Sequence, residues 1–181
     1  MIIFETARLI VRHYEEKDRD NFFLLNSDGD VMRYIRPAKT REESDKFFNE
    51  TLVSYRLTPS MGRWAVNEKT TGVFVGSFAI IPIPEKTELI QLGYALVKDH
   101  WGRGFATELT VAGLNHAFTK MDMAEIWGQT EKPNLASQKV LLKAGFKEAG
   151  ETQEKEKTIC LFLYKKQSWI DDSRPENSGD D

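Results

Sequence analysis

The sequence predicts an α/β fold of the α+β kind. It is one three-layer domain, a mixed and mostly antiparallel twisted sheet of about 7 strands with helices on both faces. Three observations carry this. Consecutive β-rich runs in the middle of the chain are joined by short turns, which makes a meander. A later β-α-β segment implies parallel neighbours. Helical stretches before and after the meander supply a layer for each face.

The elements follow in order. Residues 8–14, "RLIVRHY", alternate apolar and charged side chains, the pattern of a half-buried strand. Residues 17–25 and 28–35 read as short helices. Residues 40–57 open with Thr40 and Glu43 at capping-box spacing, and Phe47, Phe48, Leu52 and Tyr55 line one apolar face. Residues 62–68 and 73–81 are strands around a hairpin turn, "KTTG", and 88–97 is a third. A helix at 103–120, a strand at 124–130 and a helix at 134–145 come next. Strands at 146–153 and 158–166 close the domain. The final segment, 171–181, is acidic and has no large apolar side chain. It reads as a disordered tail behind a single domain of residues 1–170.

Composition narrows the function. At 181 residues and 40% hydrophobic content the chain can bury a substantial core. The net charge of −3, with no lysine or arginine cluster, gives no footprint for nucleic acid. No apolar run is long enough to span a membrane, and charges at Glu5, Arg8 and Arg12 break any signal-peptide core. One cysteine, Cys160, cannot form an internal disulfide. The expectation is a cytoplasmic protein, monomeric or homodimeric, without nucleic-acid or membrane partners.

The chemistry concentrates in "KDHWGRGFATE", between the strand ending near Val97 and the helix beginning near Gly104. The first turn of a helix has N–H groups without internal partners, and the helix dipole puts partial positive charge there. Gly102 and Gly104 bare the backbone, Ala106 keeps it bare, and Arg103 adds a positive charge. These are the ingredients of a phosphate or pyrophosphate site. Taken alone, the same glycines also suit a plain tight turn. The stretch is neither a P-loop nor a Rossmann fingerprint: no Gly-Lys-Ser/Thr follows, and Thr107 stands where a third glycine would fall. Downstream, in "PNLASQKVLLKAGF", Asn134 is a good N-cap, Ser137 lies in the first helical turn and Gly145 suits the C-terminal end.

Together these segments resemble the GNAT superfamily of acyl-CoA-dependent N-acetyltransferases, and within it the ribosomal-protein N-terminal acetyltransferase branch. "ETARLIVRHYEEKD" is similar to that branch's opening strand. "LGYALVKDHWGRGFATE" is similar to its cofactor strand and loop, and "NLASQKVLLKAGFKEAG" to its Asn-x-x-Ser helix. The resemblance implies that acetyl-CoA is the co-substrate, without a metal. Its pyrophosphate would lie on the Q/R-x-x-G-x-G/A pattern, here Trp101, Gly102, Arg103, Gly104, Phe105 and Ala106, with Thr107 next in the helix. The tryptophan departs from the pattern, as an aromatic residue often does in this branch. Backbone groups of Leu96 and Val97 would meet the pantetheine arm, Asn134 the pantetheine or phosphates, and Ser137 the thioester sulfur.

The implied reaction is direct attack of a primary amine on the acetyl group in a ternary complex. The amine belongs to a protein N-terminus or to a small molecule such as a polyamine, an amino sugar or an antibiotic. Two departures bear on it. Gln91 stands where many relatives carry a glutamate base; an amide accepts no proton at neutral pH but can orient a water or the amine. Leu141 stands where many carry a tyrosine acid, which leaves Ser137 as the nearest substitute. Glu151 and Glu154 are candidate bases by location only. The loss of the glutamate also suits a competing reading, a sensor or interaction module that binds acyl-CoA without turnover. The three histidines show no metal-ligand spacing, and Cys160, Trp64 and Trp127 read as packing residues. Phe47, Phe48 and Tyr55 read as core. In the branch, their helix often lines the acceptor entrance.

Overall fold

A computed structural model of the chain describes residues 1–172. Among these it contains eight strands in one sheet, in the order β1-β2-β3-β4-β5-β6-β8-β7. The strands are β1 (Ile2–Glu5), β2 (Leu9–Arg12), β3 (Gly62–Glu68), β4 (Phe74–Ile83), β5 (Lys86–Leu96), β6 (Glu125–Glu131), β7 (Lys147–Glu154) and β8 (Lys157–Lys165). The helices are α1 (Arg19–Ser27), α2 (Gly29–Met32), α3 (Arg41–Leu57), α4 (Phe105–Thr119), α5 (Leu135–Lys143) and α6 (Lys166–Asp172). The sheet has one strand more than expected. β1 has only four residues and is held by pairing with β2 across a register shift, so no periodicity announces it.

The meander β1–β5 is antiparallel throughout, and β5 and β6 are parallel. Alternation along the strands sends side chains to two separate cores. On one face, Trp64, Phe78, Leu92 and Leu96 pack with Phe105, Leu109 and Phe118 of α4 and Leu141 of α5. On the other, Ala65 and Phe74 pack with Phe22 of α1, Met32 of α2 and Phe48 of α3. The three layers of the predicted fold are these two helix sets and the sheet between them.

Local chemistry sets the helix ends. Thr40 accepts from the Glu43 N–H, and the Glu43 carboxylate accepts from the Thr40 N–H, which completes the predicted capping box. Asp28 caps α2 by accepting from the N–H groups of Asp30 and Val31. At the C-terminal end, Trp169 of α6 packs against Phe118. Residues 171 and 172, expected in the tail, belong to α6; the remainder of that segment lies outside the described residues. No helix among the described residues is long and apolar enough to cross a membrane.

Candidate active site

β5 and β6 pair at one register position, Gln91 opposite Trp127. Beyond it β5 continues to Leu96 with no partner on its β6 side, which leaves a crevice in the sheet. The antiparallel ladder with β4 decides which backbone groups open onto it. The Val97 N–H bonds the Val75 carbonyl, so by alternation the N–H and C=O of Tyr94 and the N–H of Leu96 point away from β4. The Leu96 carbonyl accepts from the Trp101 indole at 2.7 Å.

Val97, expected to meet a pantetheine arm through its backbone, has both groups engaged. Its N–H donates to Val75 and its carbonyl accepts from His100. Tyr94 and Leu96 are the residues with groups left over. The reason is the 3-10 turn over Lys98–His100, which folds back on Val97 before the loop begins.

At the end of the crevice lies the glycine loop. Gly102 and Gly104 adopt φ of +71° and +79°, a region that costs other residues strain. A Cβ at Gly102 would meet nothing within 4 Å, and one at Gly104 only the Arg8 guanidinium at 3.5 Å. The glycines are therefore required by the turn itself, and the space they border is open. A left-handed residue followed by a helical one aims successive N–H groups in a common direction. The N–H groups of residues 102–107 donate to no protein acceptor among the described residues.

Two arginines brace this loop. Arg8 donates to the Arg103 carbonyl at 2.9 Å and to Glu108 at 2.7 Å, and its guanidinium lies 4.6 Å over the Phe105 ring. Glu108 also accepts from Thr6 and from the Arg8 N–H. Burial alone would raise the Glu108 carboxyl; these hydrogen bonds and the Arg8 charge outweigh it and hold the group below its ordinary value. Arg103, expected to present its charge to a phosphate, instead bonds Glu68 at 2.7 Å and the His100 ring at 2.8 Å. Phe105 is a buried core residue clamped between the two guanidiniums, so its contribution to the loop is its backbone.

Sequence reasoning overlooked Arg8 and Glu108 because they are a hundred positions apart. The one available signal was an acid in the first turn of α4, a common helix device.

The candidates for proton handling divide between the two sides of the sheet. Gln91 lies opposite Ile81 and shares a face with Ala95, on the side of α1–α3. Tyr94 and Ser137 lie on the side of α4 and α5. There Ser137 lies near the Tyr94 phenol, whose pKa burial raises and the serine partly restores. Tyr94 is a second residue that sequence reasoning missed. Asn134 caps α5, its Oδ1 accepting from the Ser137 N–H at 3.2 Å, so only its amide NH2 remains for a ligand. Leu141, at the position of the absent tyrosine, is core and packs against Gly128.

Glu151 and Glu154 belong to β7 at the outer edge of the sheet, beyond β6 and β8, and Glu151 pairs with Lys132 at 2.9 Å. Neither reaches the crevice. Among the described residues no cluster of His, Cys, Asp or Glu could hold a metal ion.

A strand that leaves its parallel neighbour and ends in an N–H cradle fits a long thioester with a pyrophosphate. The sequence matches the acetyltransferase (GNAT) domain family over residues 8–147. The chain belongs to that family. It is an acetyl-CoA-dependent N-acetyltransferase. Among curated relatives, the uncharacterized N-acetyltransferase YoaA of Bacillus subtilis (strain 168) is 26% identical over 150 residues, covering 82% of this chain and 84% of its own. Two solved structures share the fold. RimL, a ribosomal L7/L12 alpha-N-protein acetyltransferase in complex with coenzyme A, has TM-score 0.78 and 15% identity over 91% of this chain and 98% of its own. Spermidine N-acetyltransferase from Vibrio cholerae, in complex with CoA and spermine, has TM-score 0.75 and 18% identity over 91% of this chain and 99% of its own.

Proposed function

We propose that this GNAT enzyme moves the acetyl group to a primary amine, of a protein N-terminus or of a small molecule, by direct attack in a ternary complex. The observation that carries this reading is the two-sided crevice: amine-side groups on the α1–α3 face, thiol-side groups on the α4–α5 face, and the phosphate cradle at one end. When bound, acetyl-CoA supplies the thioester; the acceptor nitrogen forms the new C–N bond as the C–S bond breaks, and the acceptor's proton passes to solvent.

The chain's own residues do the rest. The open N–H groups of residues 102–107, on Gly102, Arg103, Gly104, Phe105, Ala106 and Thr107, hold the pyrophosphate. The backbone of Tyr94 and Leu96 and the amide NH2 of Asn134 hold the pantetheine. Gln91 orients the amine or a water. Ser137, beside the neutral Tyr94 phenol, passes the departing sulfur the proton it needs and regains one from solvent, a role worth about 10²–10⁴ in rate when filled well. RimL acts on a protein N-terminus and the Vibrio enzyme on spermidine, so the fold serves both acceptor types.

Thiol release from acetyl-CoA, followed across a panel of amines and N-terminal peptides, tests the reading. Turnover on any acceptor supports it; CoA binding with no turnover anywhere would leave a binding module. Gly104→Val should cut CoA affinity at least tenfold, since the variant must pay about 1–3 kcal/mol of backbone strain to form the cradle. Ser137→Ala should lower kcat at least tenfold with CoA affinity held within about twofold.

A further inference from the structure

On the acceptor side of the sheet lies a groove of about 270 Å³ between α3 and the β3–β4 hairpin, lined by Phe47, Thr51, Arg63, Ile81 and Pro82 among others. Ile81 stands directly opposite Gln91, which places the groove beside the crevice. Three cations converge on the groove's aromatic wall. The guanidiniums of Arg36 and Arg63 and the ammonium of Lys39 lie 5.0, 5.4 and 5.4 Å from the centre of the Phe47 ring.

None of the three forms an ion pair with a carboxylate among the described residues. Their side chains have one acceptor between them, Asn26 Oδ1 at a long 3.5 Å from Arg36. Glu50 also lines the groove but pairs with none of them. Elsewhere Arg8, Arg12, Arg19, Arg33, Arg41 and Arg103 all have carboxylate partners, and among the described residues the one other arginine without one, Arg56, is exposed. A largely buried cation without a partner is costly, and the ring face offsets only part of the cost. Burial first, and repulsion from Arg36 second, push the Arg63 pKa down to about 10, so it stays charged at neutral pH.

The geometry points to an anion subsite: the acceptor is a primary amine that carries a carboxylate, which Arg63 receives in the groove, with Arg36 and Lys39 at the Phe47 ring adding positive charge, while the amine reaches the crevice beside Gln91. This rests on the acetyltransferase reading above and names its substrate class. The register fixes the scale. Arg63 is opposite Ala79, and Ala79 is opposite Gly93. The Arg63 Cα is therefore two strand spacings, about 10 Å, from the crevice strand. The carboxylate and the amine of the acceptor are thus separated by about 10 Å or less. An acidic amino acid and a peptide with Asp or Glu near its N-terminus both match. A polyamine, cationic at both ends, would meet like charge.

The test compares N-terminal peptides that differ only in Glu, Gln or Lys at the second position, together with free glutamate and spermidine, in the thiol-release assay. Wild-type enzyme should favour the Glu over the Gln peptide by about 10–100-fold in kcat/KM, carried in KM, the size of one or two charge-assisted hydrogen bonds. The Lys peptide and spermidine should be the poorest. Arg63→Met should collapse the Glu/Gln ratio to about threefold or less, and Arg63→Lys should restore part of it, with CoA affinity unchanged in both. Arg36→Met provides the same test from the other guanidinium.

Efficient use of glutamate would identify a small acidic acceptor, and of the Glu peptide alone a protein N-terminus. An unchanged ratio in folded Arg63→Met and Arg36→Met, or a wild-type preference for Lys, would overturn the subsite. Turnover of the Gln peptide keeps the acetyltransferase reading intact in that case. With no turnover on any amine, binding of glutarate to CoA-loaded wild-type enzyme decides the subsite separately. Binding that Arg63→Met loses supports it, and no binding sinks it.

Discussion

Arg12 on β2 and Arg63 on β3 emerge from the same face of the sheet, two register positions apart, beneath the same helices. Arg12 makes two bonds to Asp18, at 2.7 and 2.8 Å, and Asp18 is only 2% exposed. Asp18 also accepts from the Glu15 N–H at 2.8 Å, so the pair closes the turn that leads into α1. Arg63 has a phenyl ring, a neighbouring arginine and an open groove. A buried charge that meets its partner inside the chain becomes architecture. One that meets none weakens the fold and is available to a guest.

Breaking the paired member should have the largest effect. Asp18→Asn leaves Arg12 buried and uncompensated, and unfolding in urea should show a loss of about 3–5 kcal/mol. Acid should imitate the mutation. Burial would raise the Asp18 pKa, but the Arg12 bonds and the Glu15 N–H hold it below the ordinary 3.8. The pair's contribution is therefore complete above about pH 4 and is lost as the pH falls through the lowered value. A stability profile that is flat between neutral pH and pH 2 would contradict this.

The unpaired member should respond with the opposite sign. Arg63→Met keeps the stem against Phe47 and removes the desolvated charge. The unfolding midpoint should hold or rise, by about 1 kcal/mol, while the preference for acidic acceptors falls. A marked loss of stability would show that Arg63 is structural after all. The smallest effect belongs to the pair at the glycine loop, in which Arg103 is exposed and Glu68 half-buried. Glu68→Gln loosens Arg103, and thermal unfolding should show little change, because solvent already screens the arginine. Improved CoA affinity in that variant would show that the freed guanidinium turns to the phosphates.

Much of this molecule was legible in its sequence. The helix at 40–57 was marked by Thr40 and Glu43 three positions apart, and the strand at 62–68 by its β-forming residues before a hairpin turn; both stand within a residue of where they were read. The glycine loop was legible because the left-handed φ at Gly102 and Gly104 is a local demand with one good solution. Other features joined residues that are remote in the chain. Arg8 and Glu108 lie 100 positions apart and brace one loop. Tyr94 of β5 and Ser137 of α5 come together from two elements. Val97 looked available until the turn over Lys98–His100 and the ladder to Val75 took both of its backbone groups.

The sequence by itself determined the family, the order of elements after β1 and the place of the glycine turn. Hydrophobic periodicity, caps and glycine turns act over a few residues and are written contiguously. Tertiary structure alone decided which charges are neutralised. Arg12, Arg36 and Arg63 are the same letter, each reading as a solvated charge on its segment. Only the closing of α1–α3 over the sheet takes them out of water, and only there does each arginine meet its surroundings, a carboxylate six residues away for Arg12 and an aromatic ring for Arg36 and Arg63.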